Sequence, residues 1–212
     1  YRRGQWDSSR TYARLALELD SGFTLAMRRI VTASWWGNPG GEDIPAAMLR
    51  AGAHNRGLAP RESLLVTLDS LWGAQDKGAY GVPLRRRSFA TAREATRRYP
   101  EDPEVWYHLA EVSLHQGLDG IVFVGQQEAL DAFEHAIRLD SAFAPAYWHA
   151  IQLAMWLGDS SRARQLADDL VRRYPSAAYA PAADLVRRLV DPALSGAAET
   201  ARALDSASKF TL

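Results

Sequence analysis

An all-α superhelix of helix-turn-helix repeats is the fold class this 212-residue sequence predicts, and three observations predict it. Leu19-Asp20-Ser21-Gly22-Phe23 returns as Leu139-Asp140-Ser141-Ala142-Phe143, and Arg97-Arg98-Tyr99-Pro100 returns as Arg172-Arg173-Tyr174-Pro175. Each phrase closes a helix-like stretch that carries small residues on one side. Ser141 and Pro175 lie 34 residues apart, the period of a helix-turn-helix array. Arrays of this kind build surfaces rather than active sites, so binding is the first function class to consider.

The elements follow in order. Tyr1 to Asp20 reads as the second helix of a truncated repeat, with Gly4 in its preceding turn and Ala13 and Ala16 at tight packing positions. Repeat 22–54 pairs a helix over Thr24–Trp36 with one over Ile44–Ala53, split by the turn signal Asn38-Pro39-Gly40-Gly41. Repeat 60–100 pairs Arg61–Trp72 with Leu84–Tyr99 across a long, Gly-rich connector, Gly73 to Pro83. Repeat 104–140 carries seven extra residues in its inter-helix turn, around Leu118 to Gly125. The apolar tip Ile121-Val122-Phe123-Val124 reads as tucked onto the array, the alternative being an exposed docking tip. In repeat 144–175, Pro145 suits the first turn of a helix ending at Leu157, Gly158-Asp159 ends it, and Ser160-Ser161 can cap a second helix that Pro175 stops. A last pair, Pro181–Val190 and Gly196 to about Ser208, fills 177–212, with Glu199, Arg202, Asp205 and Lys209 on the polar face of a closing helix. Residues 1–212 are thus expected to form one solenoid domain of roughly four helix pairs plus end helices.

The motif Trp106-x-x-Leu109-Ala110-x-x-Ser113, followed by Ala129-x-x-x-Phe133-x-x-Ala136, resembles the tetratricopeptide repeat (TPR) family, with Ala110, Ser113 and Ser141 departing from its pattern. The resemblance implies a right-handed αα-superhelix whose first helices line a concave groove. Carried over position by position, it places Tyr107, Glu111, Leu114 and His115, then Trp148, Gln152, Met155 and Trp156, on that groove, and Arg28, Thr32, Trp35 and Trp36 in the earlier repeat. Aromatic and Arg residues are what a groove uses to anchor a peptide. Burial of the Trp rings in the solenoid core is the competing reading. Adjacent helical residues point about 100° apart, so Trp35-Trp36, Trp106-Tyr107 and Tyr147-Trp148 are expected to split between core and rim.

Composition narrows the rest. The chain is 47% hydrophobic and 24% charged, with 25 basic and 25 acidic residues, which argues against a phosphate-binding surface. The run Arg85-Arg86-Arg87 with Arg93, Arg97 and Arg98 reads as a solvated face balanced by Glu94, Glu101 and Asp102, so no nucleic-acid partner is expected. There is no cysteine, which excludes disulfides and thiolate metal sites. No apolar run approaches the ~20 residues of a membrane span, so no membrane contact is expected. His108, Glu111 and His115 at i, i+3 and i+7 share a helix face that could hold a metal. No fourth ligand or supporting group can be named for them, so they read as polar positions on the surface of a repeat helix, and no metal or cofactor is expected. Phosphate-loop, nucleophile-elbow and zinc-protease motifs are absent, and Asp168-Asp169 diverge on a helix, so no enzyme is expected.

The phrases Tyr1-Arg-Arg-Gly-Gln-Trp-Asp, Leu-Asp-Ser-x-Phe, Pro60-Arg61-Glu62, Arg-Tyr-Pro and Trp106-Tyr107-His108-Leu109-Ala110-Glu111 are similar to C-terminal repeat regions of bacterial Ser/Thr protein kinases and related regulators. That resemblance implies a scaffold or sensor region of a larger signalling protein, in the bacterial cytoplasm or on the outer side of a membrane-anchored one, with catalysis elsewhere. The chain, opening at Tyr1 without a methionine, reads as a fragment of such a protein. The expected function is a non-catalytic module that binds a protein or peptide along the concave face. The alternative is a small-ligand sensor whose long turns close over the ligand, and self-association through exposed end helices is a third reading.

Overall fold

The computed structural model describes residues 1–37, 41, 43–77, 81–116, 125–177 and 179–191. Among them are ten helices and no strand: α1 (Trp6–Leu19), α2 (Thr24–Trp36), α3 (Ile44–Ala53), α4 (Pro60–Asp76), α5 (Val82–Arg98), α6 (Pro103–Gln116), α7 (Gln126–Leu139), α8 (Pro145–Trp156), α9 (Ser160–Arg173) and α10 (Ala180–Val190). Each helix packs chiefly on its neighbours in the chain, and α2, α4 and α6 also touch across successive pairs. This is the all-helical, pairwise-stacked architecture of a TPR-type array.

The recurring phrases are turn chemistry. At Leu-Asp-Ser-x-Phe the Asp side chain accepts a backbone N–H two residues on: Gly22 to Asp20 and Ala142 to Asp140, both 2.9 Å. The Phe N–H then bonds the Asp carbonyl, from Phe23 to Asp20 and from Phe143 to Asp140. Such an Asx turn reverses the chain with no tertiary help. Prolines sit in the first turn of α3, α4, α5, α8 and α10, where a missing N–H costs nothing. Asp43 caps α3 through the Ala46 N–H (3.1 Å). For α9 the cap is Asp159, which accepts from the Arg162 N–H at 2.9 Å, rather than Ser160 or Ser161. Gly158, at φ 78°, supplies the left-handed turn before it.

A second correction concerns the connector after Trp72. α4 continues through Gly73 to Asp76, because α3 presses on it: a Cβ at Gly73 would lie 2.8 Å from Met48 Cβ and from the Pro45 carbonyl oxygen. Gly73 is therefore a close-approach residue inside a helix, not the start of a loop. The turns over 38–40, 78–80 and 117–124, with the apolar tip 121–124, and the expected helix at 196–208 lie outside the described residues.

The core is a chain of local clusters, α1 with α2, α2 with α3, and α4 to α6, and a larger one over α6 to α9 that also takes in Trp6, Trp36 and Ala183 of α10. Alanines at the interfaces, among them Ala92, Ala95, Ala136, Ala163 and Ala167, are buried and let the helices approach closely. Along α1, Tyr12, Leu15 and Leu19 are exposed.

Candidate functional site: the inner face and its N-terminal plug

The inner face is where α2, α4, α6 and α8 present their side chains, and the chain's own N-terminus occupies part of it. Residues 1–4 form a turn closed by the Gly4 N–H on the Tyr1 carbonyl (2.9 Å). The Arg2 carbonyl accepts the Ala144 N–H at 2.7 Å, and the Arg2 guanidinium reaches Asp140 at 3.1 Å. Gly4, at φ +73°, sits so close that a Cβ there would lie 3.3 Å from Ala177. The Tyr1 ring meets Trp6 and Phe143 edge-on, under the Arg29 guanidinium, 4.4 Å from the ring centre. Trp6 stacks on Trp36 at 6.3 Å, and the Trp36 Nε1–H donates to the Tyr107 hydroxyl at 3.0 Å. His149 and Tyr179 complete the cage around Trp36, each 5.2 Å from it. Burial pushes the Tyr1 and Tyr107 phenols far above their ordinary value, so both stay neutral.

Beneath this cage lies an ionic lattice that ties α2, α4 and α6. Arg28 meets Asp69 and Glu104, each at 2.7 Å, and donates to His108 Nε2 at 2.8 Å. Arg61 joins Glu104 at 2.8 Å and Asp102 at 2.6 Å. Burial opposes the charge on Glu104, but Arg28, Arg29 and Arg61 overcome it and hold this carboxyl well below the usual range. Burial, reinforced by the Arg28 charge and opposed by Asp69, lowers the His108 pKa, so His108 accepts from Arg28 as a neutral ring. His108 is thereby drawn away from Glu111 and His115, with which it shares a helix face, and is not the surface position expected of it.

A different set gathers instead. Glu111 and His115, one turn apart on α6, meet His149 of α8. Glu111 Oε1 lies 3.6 Å from His149 Nε2, and Oε2 lies 3.6 Å from His115 Nε2. The Glu111 side chain is buried, and its Oε1 has no hydrogen-bond partner. Burial, partly offset by the His115 charge and by the Tyr107 hydroxyl, pushes the Glu111 carboxyl up to about 7, and burial lowers both imidazoles. Beside Glu111 is a cavity of about 50 Å³, lined also by Thr32, Trp35, Asp69, Trp72 and His108.

The residues read from sequence as groove positions separate by burial. Arg28, Thr32, Trp36, Tyr107, Glu111 and Leu114 are enclosed, Trp35, Trp148, Gln152 and Met155 are half-buried, and His115 and Trp156 are exposed. In each doubled aromatic one member is buried (Trp36, Tyr107, Tyr147) and the other is half-buried (Trp35, Trp106, Trp148). Trp148 stacks on Tyr179 at 5.3 Å, Trp35 meets Trp72 edge-on at 5.4 Å, and Trp156 is 59% exposed. Sequence reasoning missed Tyr1, Trp6, Asp69, His149 and Tyr179 as parts of this face. Asp69, an acid within the apolar run of α4, was the one local signal available. On the outer helix α5, Arg97 and Arg98 pair with Glu94, and Arg93 pairs with Glu128 of α7.

No protein-family model matches the chain, and no curated protein matches it. Solved structures do. A crystal structure of the MamA protein aligns at TM-score 0.51 and 16% identity over 88% of this chain and 91% of its own. A second MamA crystal structure aligns at TM-score 0.54 and 17% identity, covering 77% and 91%. YrrB, described as a TPR protein with an unusual peptide-binding site, aligns at TM-score 0.44 and 14% identity, covering 85% and 84%. At these identities the likeness is one of fold. The fold is an all-helical array of helices stacked in consecutive pairs, of TPR type.

Proposed function

We propose that this chain is a non-catalytic interaction module that takes a peptide or partner domain on the part of its inner face left uncovered by the N-terminal turn. The observation that carries this reading is a strip along α8: Trp148, Gln152 and Trp156 at i, i+4 and i+8 fall on one side of the helix, half-buried, half-buried and exposed in turn. Large aromatics with a supported base and a free edge are what anchor a partner at low entropic cost. Trp35 and His115 extend the same lining, while Arg28, Trp36, Tyr107 and Glu111 act as its buried floor. The chain's own residues Tyr1 to Trp6 illustrate the mode, with one backbone hydrogen bond and two aromatic anchors set into an aromatic cage. The small-ligand reading has less support at the buried cage, because the cavity beside Glu111, about 50 Å³, has room for a few waters, not a metabolite. A wider, open cleft of about 730 Å³ lies between the first residues with α1 and the start of α2. The placement of this array within a bacterial signalling protein rests on the sequence phrases quoted above.

A displayed-peptide selection against the folded chain, followed by fluorescence-anisotropy titration of the enriched peptides, tests the assignment. The double variant Trp148→Ala/Trp156→Ala, checked for wild-type helicity by circular dichroism, is expected to lose at least about 2 kcal/mol of binding. Undiminished affinity in the folded variant would remove the site from α8.

A further inference from the structure

We propose that Glu111, His115 and His149 form a binding site for one divalent transition-metal ion, with Zn²⁺ the ion the donor set fits. Two imidazoles and a carboxylate that leave a fourth position free are a common zinc donor set. Zinc–ligand bonds of about 2.0–2.1 Å in tetrahedral geometry put neighbouring donor atoms about 3.3 Å apart. Here Glu111 Oε1 stands 3.6 Å from His149 Nε2 and Oε2 stands 3.6 Å from His115 Nε2, and one donor atom from each of the three residues can be chosen so that all lie within 4.8 Å of one another. These separations are too long for hydrogen bonds and short enough to close on an ion with small side-chain shifts.

Two further observations point to a ligand. Glu111 Oε1 is buried and has no hydrogen-bond partner, an arrangement that costs free energy unless something positive meets it. His149 is also held as a metal-binding histidine is held: its Nδ1 lies 2.7 Å from the Gln152 side-chain oxygen, which can only accept. The proton therefore sits on Nδ1, and the Nε2 lone pair faces Glu111. Solvent reaches the site along His115, whose side chain is 40% exposed. The site joins α6 to α8, so an ion there would cross-link consecutive helix pairs next to the Trp36 cage.

Titration of the metal-free chain with Co²⁺, followed by its visible d–d absorption, and then competition with Zn²⁺, decides the matter. One equivalent of Co²⁺ in a low-coordinate site, displaced by Zn²⁺, is expected. Glu111→Gln and His149→Ala should weaken uptake by more than the roughly 10–100-fold expected of Gln152→Ala, which removes only the orienting contact. His115→Ala, at an exposed position, provides a ligand deletion that spares the core. His54→Ala, on the far side of α3, should bind as wild type does. The proposal is overturned if no saturable Co²⁺ uptake occurs, or if uptake persists unchanged in folded Glu111→Gln and His115→Ala.

Discussion

Arg28 shows how one side chain can serve two readings. By sequence it is a groove residue available to anchor a peptide. In the fold its partners are internal: Asp69 from α4, and Glu104 and His108 from α6. A buried guanidinium with two carboxylates and a neutral imidazole is a specificity device, costly to break because any deletion strands a charge. Glu104 is faced by Arg28 and Arg29 of α2, Arg61 of α4 and His108 of its own helix, and its carboxyl is held well below its ordinary value of 4.5. A depressed carboxylate lends stability that is complete above that ordinary value and drains away as the pH falls through it. The urea midpoint is therefore expected to fall steeply below about pH 4.5. The Glu104→Gln variant, weaker at neutral pH, should show a shallower fall over that range. Parallel curves for the two proteins would mean that Glu104 is not the group responsible.

Among the elements, the α3–α4 pair is closely set, and two glycines explain why. A side chain at Gly52 would collide with Ser70, and one at Gly73 with Met48 and the Pro45 carbonyl. Elsewhere alanines suffice for contact between paired helices. Here the backbones come closer still, which lets α4 run on to Asp76 without the break its glycine suggests. Gly73→Ala pits a helix-propensity gain of about 1 kcal/mol against overpacking of about 1–3 kcal/mol. Net destabilisation is expected in urea unfolding. A variant more stable than wild type would show that α3 and α4 are not packed this closely.

At the scale of the whole molecule, the array is less one-dimensional than its repeats imply. A solenoid normally couples each unit to the next alone. This chain adds a long-range tie, in which Tyr1 to Trp6 cross the inner face and join α2 to the start of α8 through the Trp6–Trp36 stack and the Arg2–Ala144 hydrogen bond. Trp6→Ala should cost about 3–5 kcal/mol, in line with other buried Trp truncations. Hydrogen exchange should then accelerate at the Ala144 amide as well as within α1. Acceleration confined to α1 and α2 would show that the N-terminal turn does not bridge the array.

Local features of this protein were legible in the chain because their causes are local. The Asx turns at Asp20 and Asp140, the first-turn prolines and the spacing of small residues act within a few residues of one another, so α2 and α3 begin and end where Thr24–Trp36 and Ile44–Ala53 were read. The metal-ligand pattern illustrates the limit. Three ligands were visible on one helix, but His108 was claimed by Arg28, 80 residues away in the sequence, and His149 arrived from α8 in its place. The same holds for Trp36, read as a groove residue and found enclosed beneath Trp6. What the sequence by itself determined was the helices, their pairing and the aromatic character of the inner face. The tertiary structure alone decided which of those side chains remain open, because that depends on how successive pairs rotate and what the N-terminus covers, and neither is written in any single repeat.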